Sequence, residues 1–205
     1  MSQAAVIVRT GRKFDQVLDG ARTVFLKDGF EGASVDDIAR AAGVSKATLY
    51  SYFPDKRLLF MEVARVECMR LAELAVNEID ATLPPREVLT RTAQKLIPFM
   101  LSEFSIKMFR ICVAESDRFP ELGADFYASG PEMGRKRLVE YMGKARDRGE
   151  LKIEDLSLAA EQFSELCKSH LFARAVFGIQ TSFTQAEIDR VVQSAVDVFM
   201  ARYSA

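Results

Sequence analysis

Apolar positions along the chain recur at spacings of three and four, and strict alternation is scarce. That is the periodicity of helices with one buried face, not of half-buried strands. The first stripe runs Phe14, Val17/Leu18, Ala21 and Val24/Phe25. Gly29 follows as a helix-ending glycine in left-handed geometry, with Phe30 placed to fold back. A second helix begins after Ser34, whose hydroxyl suits a free N–H, and Asp36 and Asp37 sit near its positive end. Its inner positions are Val35, Ile38, Ala39 and Ala42, and Gly43 ends it. Ser45 caps a third helix with Leu49 and Phe53 inward, closed by Pro54. Asp55 caps a long fourth, with Leu59, Val63, Val66 and Met69 on one side. The stretch "LPPREVL" marks a break and a new start, with Pro85 in a first turn. Helical spacing then resumes, is interrupted at "SDRFPELG" and "SGPEMG", and after Gly149-Glu150 predicts two last helices, 156–178 and 185–203. The pattern predicts an all-α fold: an N-terminal three-helix unit over 1–57 and a larger helical bundle over 58–205.

Two short helices joined by about three residues centred on a glycine make a helix-turn-helix. In that arrangement the first helix crosses the DNA backbone and the second lies in the major groove. The exposed face of the second must then carry small and hydrogen-bonding groups. Here it is Ser45, Lys46, Ala47, Thr48, Tyr50 and Ser51. Ser34 and Lys56 stand at helix N-termini, where free N–H groups attract phosphate, and Tyr52 adds a phenolic hydroxyl. Phosphate contacts set register, and base-edge contacts carry sequence information. The competing explanation is a plain turn, "GVS", between two packed helices.

Composition and charge modify this only slightly. The 205 residues are 49% hydrophobic and 28% charged, as in a globular protein, with a net charge of −1. No global basic signal announces nucleic acid, although residues 1–60 carry +2 and the remainder −3. Apolar runs fall far short of the roughly 18 residues of a spanning helix, and the N-terminal apolar stretch is too short for a signal peptide. A cytoplasmic protein without membrane contact is expected. Cys68, Cys112 and Cys167 are odd in number and widely spaced, which is no disulfide framework. His170 is the only histidine, so any Ser-His-Asp or Cys-His chemistry must use it. Cys167 and His170 share a helix face, but two further metal ligands are missing nearby. A buried polar histidine is expected there. No phosphate-cradling glycine loop or telling carboxylate pair occurs. Neither an enzyme nor a cofactor is expected.

The run "TVFLKDGFEGASVDDIARAAGVSKATLYSYFPDKRLLF" (Thr23–Phe60) resembles the DNA-binding domain of TetR-family transcriptional regulators. Ala47 departs from the glycine common there, and its methyl is small enough for groove entry. The C-terminal stretch from Phe109 is more loosely similar to the AefR-like subgroup. The resemblance implies a homodimer with one reading head per subunit, a palindromic operator, and a small-molecule effector pocket in the bundle. DNA-binding residues would be Ser34, Ser45, Lys46, Ala47, Thr48, Tyr50, Tyr52 and Lys56. Pocket candidates are Met69, Leu96, Met100, Phe104, Met108, Ile111, Tyr127, Phe163, Cys167 and His170, although for any one of them ordinary core is the more common role. The apolar stripes of the last two helices, Phe163 to Phe177 and Ile188 to Phe199, either close the fold or form half of a four-helix dimer interface, and the family favours the second. The expected function is a ligand-responsive regulator, a repressor released by an apolar or aromatic effector. The alternative is an architectural or division-linked DNA-binding protein of the same fold that takes a protein partner.

Overall fold

The computed structural model describes residues 11–76 and 82–205, the backbone alone for 68–76 and 122. Among the described residues it has eleven helices: α1 (Arg12–Gly32), α2 (Val35–Ala41), α3 (Lys46–Tyr52), α4 (Lys56–Val76), α5 (Pro85–Leu101), α6 (Glu103–Ala114), α7 (Pro120–Ser129), α8 (Pro131–Asp147), α9 (Leu156–Lys168), α10 (Phe172–Val176) and α11 (Gln185–Tyr203). Two compact units result. One holds the chain up to Cys68 together with Lys107–Phe126, and the other holds Met69–Ile106 and Tyr127–Ala205. The packing thus does not draw the single cut expected after residue 57.

In the first unit, α1 buries Phe14, Val17, Ala21, Val24 and Phe25, the stripe read from the sequence. Gly29 breaks the helix with φ 73°, and Phe30 folds back to lie 6.1 Å from Phe25 and 5.3 Å from Phe60, ring centre to ring centre. Gly20 does something the pattern did not announce. A Cβ there would stand 2.6 Å from the Ala42 backbone nitrogen, so the missing side chain is what lets α1 and α2 touch backbone to backbone. Residues 107–126 complete this unit. Lys107 donates to the Leu26 carbonyl at 2.8 Å, and Phe119 packs edge-on against Phe30 at 5.6 Å. Arg118 pairs with Glu31, and Arg57 with Glu121 and Asp55.

The second unit is built on α5, α8, α9 and α11. Leu89, Ala93, Ile97, Met142, Phe163 and Phe199 are essentially inaccessible within it. Phe163 meets Phe199 edge-on at 5.5 Å, and the Tyr203 hydroxyl donates to Gln162 at 2.5 Å. A capping box starts α11: Thr184 Oγ accepts from the Glu187 N–H while the Glu187 carboxylate accepts from the Thr184 N–H at 2.8 Å. The Thr184 N–H foremost, then the Gln180 amide and the Thr184 hydroxyl, donate to the Glu187 carboxylate and hold it down at about 2. The helix expected over 156–178 is instead two, α9 and α10. The break falls at Ser169–Leu171, where His170 takes φ 66°. No glycine or proline marks that break, so periodicity carried straight through it.

Candidate nucleic-acid interface

The turn between α2 and α3 is a closed set of local hydrogen bonds. Val44 N–H donates to the Ala39 carbonyl at 3.0 Å and Gly43 N–H to the Arg40 carbonyl at 3.2 Å, with Gly43 at φ 63°. This is a Schellman C-cap, and it satisfies carbonyls that would otherwise be left free. Ser45 then caps α3, its Oγ accepting from the Thr48 N–H at 3.1 Å. Leu49 and Phe53 point inward with 1% and 0% exposure, Phe53 stacked on Phe14 at 5.5 Å. Burial of those two side chains fixes which face α3 shows. Ser45, Lys46, Ala47, Tyr50 and Ser51 are exposed and Thr48 is half-exposed. One short rigid helix therefore presents hydroxyls, one methyl and one ammonium, the chemistry base edges read.

The expected contact residues do not all stay free for DNA. Ser34 is the N-cap of α2, accepting from Asp37 N–H at 3.1 Å and donating to the Asp37 carboxylate at 2.5 Å. That hydrogen bond first, and then Arg40, hold the Asp37 carboxyl below its ordinary value. Lys46 reaches back to Asp36 on α2 at 2.5 Å. Both groups are exposed, and such a surface pair is worth little and is readily given up. Tyr52 lies half-buried, edge-on to Phe14 at 5.8 Å. Tyr50 is 49% exposed. Lys56 is the most heavily engaged of them. Its ammonium donates to the Phe30 carbonyl at 2.7 Å, to Ala33 at 3.1 Å and to Glu31 at 3.4 Å, and sits 4.6 Å over the Phe30 ring. All three N–H bonds are turned to the end of α1, so Lys56 clamps the unit from within. Its partners lie 23 to 26 residues back in the chain, beyond any local signal.

Residues 17–63 match the family described as bacterial regulatory proteins, tetR family, and residues 87–205 match the AefR-like transcriptional repressor, C-terminal domain. The chain belongs to the TetR family of transcriptional regulators. TetR-family regulators are DNA-binding proteins, not enzymes, and the helix-turn-helix above is their reading head. Among solved structures, a putative TetR-family regulator from Mesorhizobium loti is similar over 95% of this chain and 98% of its own, at 28% identity and TM-score 0.88. A flavonoid-responsive regulator, FrrA, is similar over 95% and 98% at 36% identity and TM-score 0.79. The repressor AcnR of Corynebacterium efficiens is 40% identical over 58 residues, 28% of this chain and 31% of that protein. The chain thus matches about a third of the length of the curated relatives.

The pocket residues expected for a TetR-family bundle are placed less simply. In the second unit Phe163 and Cys167 are core and Leu96 and Met100 pack against it, while Phe104 is buried. Met108, buried, and Ile111, half-buried, belong to the first unit. The Met69 side chain lies outside the described residues. Tyr127 is 51% exposed, and His170 is exposed and not the buried histidine expected. Its ring nitrogen stands 3.4 Å from Arg174. Burial pushes the Cys167 thiol up to about 12, which removes it as a reactive thiolate. Among the described residues no cluster of three or more His, Cys, Asp or Glu is arranged to hold a metal, and no helix is long and apolar enough to cross a membrane. An open groove of about 530 Å³ lies between α9 and α11, walled by Leu158, Leu166, Val198 and Phe199 with Arg202 and Tyr203 at one end.

Proposed function

We propose that the protein is a transcriptional repressor that binds a palindromic operator as a homodimer and is released by a small apolar or aromatic effector. The observation that carries it is α3: two buried side chains, Leu49 and Phe53, hold a seven-residue helix so that Lys46, Thr48 and Tyr50 face outward together. The named repressors among the relatives support the direction of control. FrrA, at 36% identity, is named for its response to flavonoids, which supports an aromatic effector class here. The bundle offers matching chemistry in Met100, Phe104, Phe163 and Phe199.

The dimer is proposed through α9 and α11. What supports it is the exposure of Leu158 (48%) and Val198 (50%) along the groove, apolar groups that water disfavours. The stripe read from the sequence needs one adjustment. Of its members, Val191, Val192 and Ala195 are 6%, 4% and 2% exposed inside their own subunit, so they close the bundle, while Val198 at the edge of the same stripe stays outward. Selection of bound fragments from genomic DNA tests the proposal, followed by operator binding with and without candidate polyphenols. An inverted repeat released by a ligand is expected. Absence of any selected sequence would overturn it.

A further inference from the structure

A head that binds DNA must neutralise phosphates, and most cations of the first unit are already engaged. From Arg22 to Arg118 its arginines and lysines face carboxylates or backbone carbonyls, or are otherwise partnered. Arg12 and Lys13 differ. Both are exposed, and among the described residues neither side chain has a hydrogen-bond or ion-pair partner. Asp15, the nearest carboxylate in sequence, is exposed and pairs with neither.

Their place matters as much as their freedom. The next residue, Phe14, is 4% exposed, with its ring stacked on Phe53 and edge-on to Tyr52. That contact pins the start of α1 beside the C-terminal end of the reading helix. Lys46 stands at the opposite end of α3, about 10 Å away at 1.5 Å per residue. Cations thus stand near both ends of the reading helix. Lys56, the cation the motif suggested for this task, is held on three carbonyls. We infer that Arg12 and Lys13 form a second DNA-backbone contact, flanking α3 and independent of base sequence.

This rests on the DNA-binding reading, and the test separates the two. The affinity of the full chain for a random-sequence DNA duplex is measured across a salt series. The variants are Arg12→Gln, Lys13→Gln, the double variant, Arg12→Lys, and Lys27→Gln as a control. Lys27 lies on the same helix, is 79% exposed and makes only a 3.8 Å contact with Asp28. Each phosphate contact contributes about 0.9 to the slope of log affinity against log salt. Each single substitution to glutamine should lower the slope by about that amount per head, and the double variant by about twice as much. Arg12→Lys and Lys27→Gln should keep the wild-type slope. The loss should be equal on random and on selected operator duplexes, because phosphate contacts carry no sequence information. A double variant with the wild-type slope, or one matched by Lys27→Gln, overturns the inference while leaving DNA binding intact. Wild-type protein that binds no duplex overturns the DNA-binding reading itself and this inference with it.

Discussion

Replacing Lys56 with methionine keeps the aliphatic stem and removes only the ammonium. Three carbonyls at the end of α1 then lose a charged donor, at 2.7, 3.1 and 3.4 Å, and the Phe30 ring loses a cation 4.6 Å from its centre. A hydrogen bond to a charged group is worth roughly 1.5–3 kcal/mol, and an exposed cation–π contact about 0.5–1. The longest of the three bonds is solvated and adds little, and water can replace part of the rest. The expected loss is about 2–4 kcal/mol. For a chain of this size each kcal/mol moves the melting temperature by roughly 2–4 °C, so a fall of roughly 4–16 °C is expected. The same variant should bind a duplex with an unchanged salt slope, because the ammonium it lacks is turned to these carbonyls. Circular-dichroism melts and a salt series on one preparation read both quantities. An unaltered melt with a slope lower by about 1 would refute the clamp and restore the phosphate anchor.

Four further outcomes follow from the packing. Gly20→Ala should lower the melting temperature even though alanine favours helices by about 1 kcal/mol, because its Cβ would meet the Ala42 backbone at 2.6 Å; a higher melt would contradict the close approach. Leu158→Glu with Val198→Glu should yield folded monomers by sedimentation, whereas Ala195→Glu, which buries an unpaired charge in the bundle, should unfold the chain; a folded dimer from the first pair would move the interface elsewhere. Glu187 has a depressed carboxyl at about 2, so its share of stability is complete above the unfolded value near 4.3 and is lost as pH falls towards 2; Glu187→Gln, which keeps a cap but cannot titrate, should flatten that part of an acid-unfolding curve. Cys167, buried and with its thiol raised to about 12, should resist alkylating reagents in the native protein at pH 8, and rapid labelling detected by mass spectrometry would show that the site opens.

The helix-turn-helix was legible because it is local. The Schellman turn spans Ala39 to Val44, each cap acts within three residues, and Leu49 and Phe53 declare the inner face of α3 by their spacing. Hydrogen bonds of that reach are encoded in a short window of chain, so Gly43 and Ser45 stand where the sequence places them. What escaped depends on segments far apart. Gly20 is a mid-helix glycine whose meaning appears only when Ala42 arrives against it, although an unexplained glycine inside an apolar stripe is itself a signal of close packing. Lys56 reads as a free cation until Phe30, Glu31 and Ala33 turn their carbonyls to it. Residues 107–126 join the reading-head unit through Lys107, Phe119 and Arg118, more than 80 positions from their partners in α1. Periodicity tells which face of a helix is apolar, but not whether its cover is the same subunit or another. That is why Val192 and Ala195 had to be seen packed within one chain before Val198 and Leu158 could be recognised as the outward row. Local geometry follows from the residues themselves, and the choice of which buried face meets which partner is made only when the whole chain has closed.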